Sequence, residues 1–131
     1  MIIKKTKKLL FTGVISLIIL GCGSSPEYTS AKLYIKNEDW VKAEEFLFKA
    51  LETDSTNAEV MVQIGYHVYA KKEQWVEMNE IFNKALSTDP AAKIDNRPIS
   101  ELVKNYRNMF WAENYNKAVR MYNEYKGSKD K

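Results

Sequence analysis

Residues 38–55, EDWVKAEEFLFKALETDS, are repeated 35 positions later as residues 73–90, EQWVEMNEIFNKALSTDP. The two stretches are identical at nine of their 18 positions. Within each copy, apolar residues recur at steps of three and four, which is the spacing of one face of an amphipathic helix. A repeated helix of this kind predicts an all-α fold built from stacked copies, because one copy cannot bury its apolar face alone.

A weaker third copy follows at an offset of 40 residues from the second. Its matching positions are Met109, Tyr115, Ala118 and Tyr122, which align with Tyr69, Trp75, Met78 and Phe82. Helix-breaking residues at 37–39, 54–56, 89–90 and Gly127 separate the predicted helices, and an irregular turn is expected at 91–97 before Pro98. The sequence therefore predicts six helices in three hairpins.

The period and the residue types resemble those of the tetratricopeptide repeat, a helix-turn-helix unit of about 34 residues. The residues at or within one place of its signature are Tyr34, Trp40, Ala43 and Ala50 in the first copy, and Gly65, Tyr69, Trp75, Phe82, Ala85 and Pro90 in the second. The second copy has one extra residue around Gly65. The resemblance implies a short solenoid over residues 26–126 that binds extended peptides or helices on its concave face.

The first 21 residues have the pattern of a signal peptide. A basic stretch at residues 1–8 precedes an apolar stretch at residues 9–20, which is shorter than the ~20 residues needed to span a bilayer. Residues 19–22, ILGC, resemble a bacterial lipobox, which implies cleavage before Cys22 and acylation of this cysteine. Residues 22–25 would then be the lipidated cysteine with a short linker, and residues 127–131 a C-terminal tail.

Lipidation implies a location in the bacterial cell envelope, because two or more acyl chains hold a protein stably on a membrane. Gly23 is not the aspartate that resembles an inner-membrane retention signal. In a bacterium with two membranes, the expected location is therefore the outer membrane, facing the periplasm. In a bacterium with one membrane, it is the outer face of the plasma membrane.

Charge and cysteine content exclude two classes of protein. The formal net charge is +3, from 20 basic and 17 acidic residues. Four lysines lie in the first 21 residues, so the remainder has 20 − 4 = 16 bases against 17 acids. A nearly neutral body lacks the positive field of a nucleic-acid-binding protein. The single cysteine also excludes an intrachain disulfide framework.

The sequence does not predict an enzyme or a cofactor. His67 is the only histidine, and Cys22 is assigned to the lipid anchor. The chain contains no HExxH, phosphate-loop or GxSxG motif, and one histidine without a free thiol gives no support for a metal site. Trp40, Trp75 and Tyr115 occupy equivalent positions in the three copies, where we expect each to pack between two helices.

The repeat register projects two rows of side chains onto the concave face. Their members are Lys32, Lys36, His67, Lys71, Arg107 and Trp111. Five of these six are basic, so they predict a groove for an acidic segment or a free C-terminal carboxylate, with Trp111 as an apolar anchor. The same rows are also compatible with an ordinary solvated face, on which lysine is common.

These observations predict a membrane-anchored module that binds another protein, as an adaptor in the cell envelope. The alternative is a structural lipoprotein that self-associates by stacking its last hairpin on another copy, through Met121, Tyr122 and Tyr125. A heterologous partner would favour the first hypothesis, and contacts between copies alone would favour the second.

Overall fold

The computed structural model describes residues 24–129, so the predicted signal peptide and Cys22 lie outside the described residues. The helices within this range are α1 (Pro26–Lys36), α2 (Trp40–Thr53), α3 (Ala58–Ile64), α4 (Trp75–Thr88) and α5 (Ile99–Lys129). One antiparallel pair of short strands, β1 (Lys93–Ile94) and β2 (Arg97–Pro98), lies between α4 and α5. The predicted all-α class is confirmed.

The repeat in the sequence is also a repeat in the structure. Helices α2 and α4 are both 14 residues long and begin at the equivalent residues Trp40 and Trp75. Glu38 and Glu73, two residues before each start, have left-handed backbones with φ of 57° and 55°. The Asp39 side chain accepts a hydrogen bond from the Lys42 amide at 3.2 Å and caps α2. The chain from α1 to α4 therefore forms two similar helical hairpins.

The extra residue of the second copy lies in a π-helical turn. Helix α3 continues without a break through a π-helix at Gly65–Tyr69 and a 3-10 turn at Ala70–Lys72. The Ala70 amide donates to the Gly65 carbonyl, five residues earlier, instead of to the carbonyl four residues earlier. A π-turn adds one residue to a helix without ending it, so the extra residue does not interrupt the first helix of the second copy.

Two adjoining apolar clusters hold the helices together. The first joins α1, α2 and α3 through Tyr28, Ala31, Leu47, Ala50, Val60, Ile64 and Val68. The second joins α3, α4, the strand pair and the start of α5 through residues that include Met61, Phe82, Ala85, Ile94, Ile99, Leu102 and Val103. Leu51, Tyr69 and Ile81 pack against both clusters. Helix α5 is thus attached to the body by its first turns.

The expectation of a third hairpin is wrong for the residues that the structure describes. Helix α5 runs for 31 residues through positions 112–114, which the repeat offsets align with the turn at residues 37–39, and through Gly127 to Lys129. Ala112 is a strong helix former, and the Asn114 side chain donates to the Phe110 carbonyl at 2.8 Å instead of capping a new helix. The connection at residues 91–97, predicted as an irregular turn, contains a regular β-hairpin. Asp95 and Asn96 form its tip with left-handed backbones.

None of the helices between residues 24 and 129 combines the length and the apolar character that crossing a bilayer requires.

Candidate interaction site

A groove of about 610 Å³ lies between α4 and α5. Most of its lining is apolar or aromatic, and a few polar side chains complete it. The lining includes Trp75, Met78, Arg107, Phe110, Trp111 and Tyr115. A concave apolar surface with a few polar groups is the usual form of a binding site in a protein.

Aromatic pairs build the groove. Trp75, at the start of α4, packs against Phe110 of α5 with ring centroids 5.5 Å apart. Trp111 and Tyr115 lie one turn apart on α5 and stack at 5.4 Å with an interplanar angle of 12°. Their side chains remain 69% and 57% exposed, respectively. Stacked and exposed aromatic rings give a large contact area at low cost in conformational entropy, so this rim is suited to a protein partner.

Arg107 fastens α5 to α4 at the polar edge of the groove. Its Nε donates to Asn79 Oδ1 at 2.9 Å, and its Nη2 donates to Asn83 Oδ1 at 2.8 Å. Both partners are neutral amides, so these bonds hold the guanidinium in place without neutralising its charge. The groove therefore has a fixed positive group beside the exposed Trp111.

The predicted lysines on α1 lie in a different place. Lys32 and Lys36 line a pocket of about 410 Å³ together with Glu59 and Asp95. The Lys32 Nζ donates to Ser24 Oγ at 3.2 Å. Burial is the main cause that raises the pKa of Glu59. This pocket thus contains acidic as well as basic groups, and it is not a purely basic surface.

His67 and Lys71 line a third pocket, of about 310 Å³, beside Trp40. His67 stacks on Trp40 with centroids 5.7 Å apart, and the Lys71 Nζ lies 3.3 Å from the centre of the same indole. Burial, and secondarily the charge of Lys71, lowers the pKa of His67 to about 4. His67 is therefore neutral at pH 7 and does not supply the positive charge that the sequence predicted for this position.

The structure brings the six predicted residues together only as three pairs. Each pair lines a pocket, and Arg107 with Trp111 is the pair in the α4–α5 groove. Lys71 also lines a neighbouring pocket that shares Trp75 and Phe110 with the groove. The face of α5 that packs on the body is set by Ile99, Leu102 and Val103. This orientation turns Arg107 toward α4 and away from the surface that Lys32 and Lys36 share.

The three equivalent aromatic residues also differ in their surroundings. Trp75 is half-buried against Phe110. Trp40 is 36% exposed and covers His67, and Tyr115 is 57% exposed on the uninterrupted α5. The expectation that each packs between two helices is wrong for Tyr115, because the third hairpin is not formed.

Three residues of this site were not predicted from the sequence: Asn79 and Phe110 line the groove, and Asn83 accepts a hydrogen bond from Arg107. Asn79 and Asn83 are four residues apart on α4 and so lie on one helix face. This spacing indicates that the two side chains could hold one partner together, although nothing in the sequence identifies that partner as Arg107. Between residues 24 and 129 there is no cluster of three or more His, Cys, Asp or Glu side chains that could hold a metal ion.

Comparison with known proteins gives no relative: no protein-family model, curated protein or solved structure matches the chain.

Proposed function

We propose that this protein is a lipid-anchored module of the bacterial cell envelope, whose tetratricopeptide-like helical domain binds another protein. The α4–α5 groove is the binding surface in this proposal. The observation that carries it is the exposed Trp111–Tyr115 stack beside the apolar floor made by Trp75 and Phe110. Exposed aromatic clusters of this kind are rare on monomeric proteins unless they bind something.

The chemistry of the groove suggests the character of the bound segment. Its apolar floor would accept the apolar face of a helix or an extended peptide. The fixed guanidinium of Arg107 at its edge would favour a carboxylate on that segment, as an acidic side chain or a free C-terminus. The proposal retains the acidic partner predicted from the sequence. Of the six predicted residues, however, only Arg107 and Trp111 would contact that partner.

Support for the repeat class comes from the two similar hairpins formed by α1 to α4 and from the 35-residue internal offset. Support for the anchor comes from the ILGC motif at residues 19–22. The adaptor role remains the main proposal. The self-associating alternative is favoured by one observation, the exposure of Met121, Tyr122 and Tyr125 on α5.

The binding proposal is tested by capturing the full chain from chemically cross-linked envelopes. The double variant Trp111→Ala/Tyr115→Ala should lose the captured protein. The matched control Leu33→Ala/Val41→Ala removes two apolar side chains that are 56% and 80% exposed outside the groove, and it should retain the partner. Retention by the groove variant, or equal loss from both variants, would refute the α4–α5 groove as the binding surface.

The anchor is tested separately by mass spectrometry of the membrane-extracted protein. We expect a mature chain that begins at Cys22 and carries at least two acyl chains, because one chain alone anchors only weakly. The Cys22→Ser variant should remain unacylated. An intact Met1 on the wild-type membrane form would show that the lipobox is not used.

A further inference from the structure

Five residues form a continuous stripe along the second half of α5. They are Trp111, Tyr115, Ala118, Tyr122 and Tyr125, with spacings of four, three, four and three residues. This is the spacing with which one helix packs along another in a coiled coil. The four aromatic members are 57 to 69% exposed, and Ala118 is exposed as well. We refer to these five residues as the α5 stripe.

The internal repeat indicates that the stripe is a packing surface. Tyr122 aligns with Phe82 of α4 and with Leu47 of α2, and both of these side chains are 0% exposed. Tyr122 itself is 65% exposed. The same repeated position is therefore fully covered twice within the chain and uncovered the third time.

The chain's own α5 does not fold back to cover the stripe. The first two copies turn at Glu38 and Glu73, which have left-handed backbones. The equivalent residue of the third copy, Glu113, lies inside the continuous helix. An ion pair between Lys117 Nζ and Glu73 Oε1, 3.0 Å apart, also connects the middle of α5 to the turn before α4. The segment that would cover the stripe must therefore come from elsewhere.

We propose that a second copy of this chain covers the stripe, with the two α5 helices packed antiparallel and related by a twofold axis. The inference rests on the proposed function in taking the α4–α5 groove as the binding surface, but its occupant here is a second copy, as in the self-associating alternative, and not a different protein. The groove lies beside Trp111, at one end of the stripe. Antiparallel packing brings Tyr122 and Tyr125 of the partner copy to that end, whereas parallel packing would place Trp111 against its own equivalent and leave the groove empty.

The size and character of the stripe fit a dimer interface. An aromatic side chain buries about 150 to 250 Å², so the exposed parts of four of them supply roughly 500 Å² from each copy. Val119 and Met121, which flank the stripe and are 40% and 61% exposed, add to this. The total approaches the ~800 Å² per partner of an ordinary stable interface. None of the five residues is charged, so their burial leaves no unpaired charge.

Light scattering on the full chain in detergent measures whether the protein is a dimer. The protein part should have twice the mass of the mature chain that begins at Cys22. The variant Tyr122→Glu/Tyr125→Glu should halve this mass with unchanged helicity. The matched control Val41→Glu/Val76→Glu places the same charges at side chains that are 80% and 67% exposed, and should remain dimeric. A monomeric wild type, or equal dissociation of both variants, would overturn the inference.

Photo-cross-linking in the intact envelope tests the occupant and its orientation. A photoreactive residue at Lys126, beside the stripe, should cross-link to the region of Arg107 to Phe110 in a second copy. Cross-links to the region around Lys126 itself would mean parallel packing and overturn the proposed geometry. Cross-links only to a different protein would overturn self-association while supporting the proposed function, and no cross-link from Lys126 or from Trp111 would count against both.

Discussion

Gly65 of the π-helical turn lies directly against the ring of Phe82 in α4. A Cβ atom at Gly65 would stand 2.7 Å from Phe82 Cδ1 and closer still to Cε1. Phe82 is 0% exposed, so its ring has no free space into which it can move. This close approach is what lets α3 and α4 pack with a residue as large as phenylalanine between them.

The substitution Gly65→Ala should therefore destabilise the protein, despite the better helix propensity of alanine. We expect a loss of about 1 to 3 kcal/mol from overpacking, measured by urea unfolding. Gly127→Ala is the control, because a Cβ at Gly127 meets nothing within 4 Å. It should be neutral or stabilise by up to ~1 kcal/mol. A neutral Gly65→Ala variant would mean that the two helices are further apart than described.

Ala85 of α4 and Ala50 of α2 occupy the same position of the internal repeat, and both are buried. Their side chains are 0% and 1% exposed, respectively. Replacing either residue by leucine should cost about 1 to 3 kcal/mol, seen as a lower midpoint in thermal unfolding. Ala112→Leu, on the exposed side of α5, should leave the midpoint nearly unchanged. If Ala112→Leu lowers it as much as Ala85→Leu, the cost does not arise from core packing.

His67 should make stability depend on pH. Its pKa is lowered from 6.5 to about 4 in the folded state, first by burial and then by Lys71. Between these values the unfolded chain binds more protons than the folded chain, so stability increases with pH across this window and is lost as pH falls from about 6.5 to about 4. After allowance for solvent screening of this half-buried ring, we expect about 1 to 2 kcal/mol.

Urea unfolding at several pH values between 4 and 7 would measure this effect. The His67→Gln variant should show a weaker pH dependence in that window, and Lys71→Met a partial reduction. Identical slopes for the wild type and His67→Gln would show that other groups cause any acid sensitivity.

The turn before α2 can be improved, because Glu38 has a φ of 57°. A left-handed backbone disfavours residues with a Cβ, and glycine adopts it freely. Glu38→Gly should stabilise the protein by ~0.5 to 1 kcal/mol in urea unfolding. Glu80→Gly, in the interior of α4, should instead cost about 1 kcal/mol. A loss of stability in both variants would contradict the left-handed turn.

The first two hairpins could be predicted because their signals are local and agree with one another. Trp40 and Trp75 each follow a polar turn and begin a run of apolar residues with helical spacing, and both helices begin where the repeat places them. The extra residue around Gly65 was visible in the repeat length. Its form, a π-helical turn, was not, because a single inserted residue can also widen a loop.

The third copy shows what repeat matching does not determine. Tyr115 and Tyr122 align well with earlier residues, but the turn before them does not form, because residues 112–114 continue the helix. Prediction of the binding site from the repeat register meets the same difficulty. The predicted rows, Lys32 with His67 and Arg107 and Lys36 with Lys71 and Trp111, assume one orientation for all first helices. The orientation of α5 is instead set by which side chains it buries, which is a property of the whole fold.

One helix consequently carries two levels of protection against hydrogen exchange. From Ile99 to Phe110 the amides of α5 belong to a segment that packs on the core, whereas beyond Trp111 its side chains are mostly exposed. Local opening is easier where tertiary contacts are few, so in a single copy the amides should exchange slowly before Trp111 and quickly after it, and pairing of the α5 stripes in the proposed dimer should slow the second group. The position of that step along a single uninterrupted helix marks where the folded body ends.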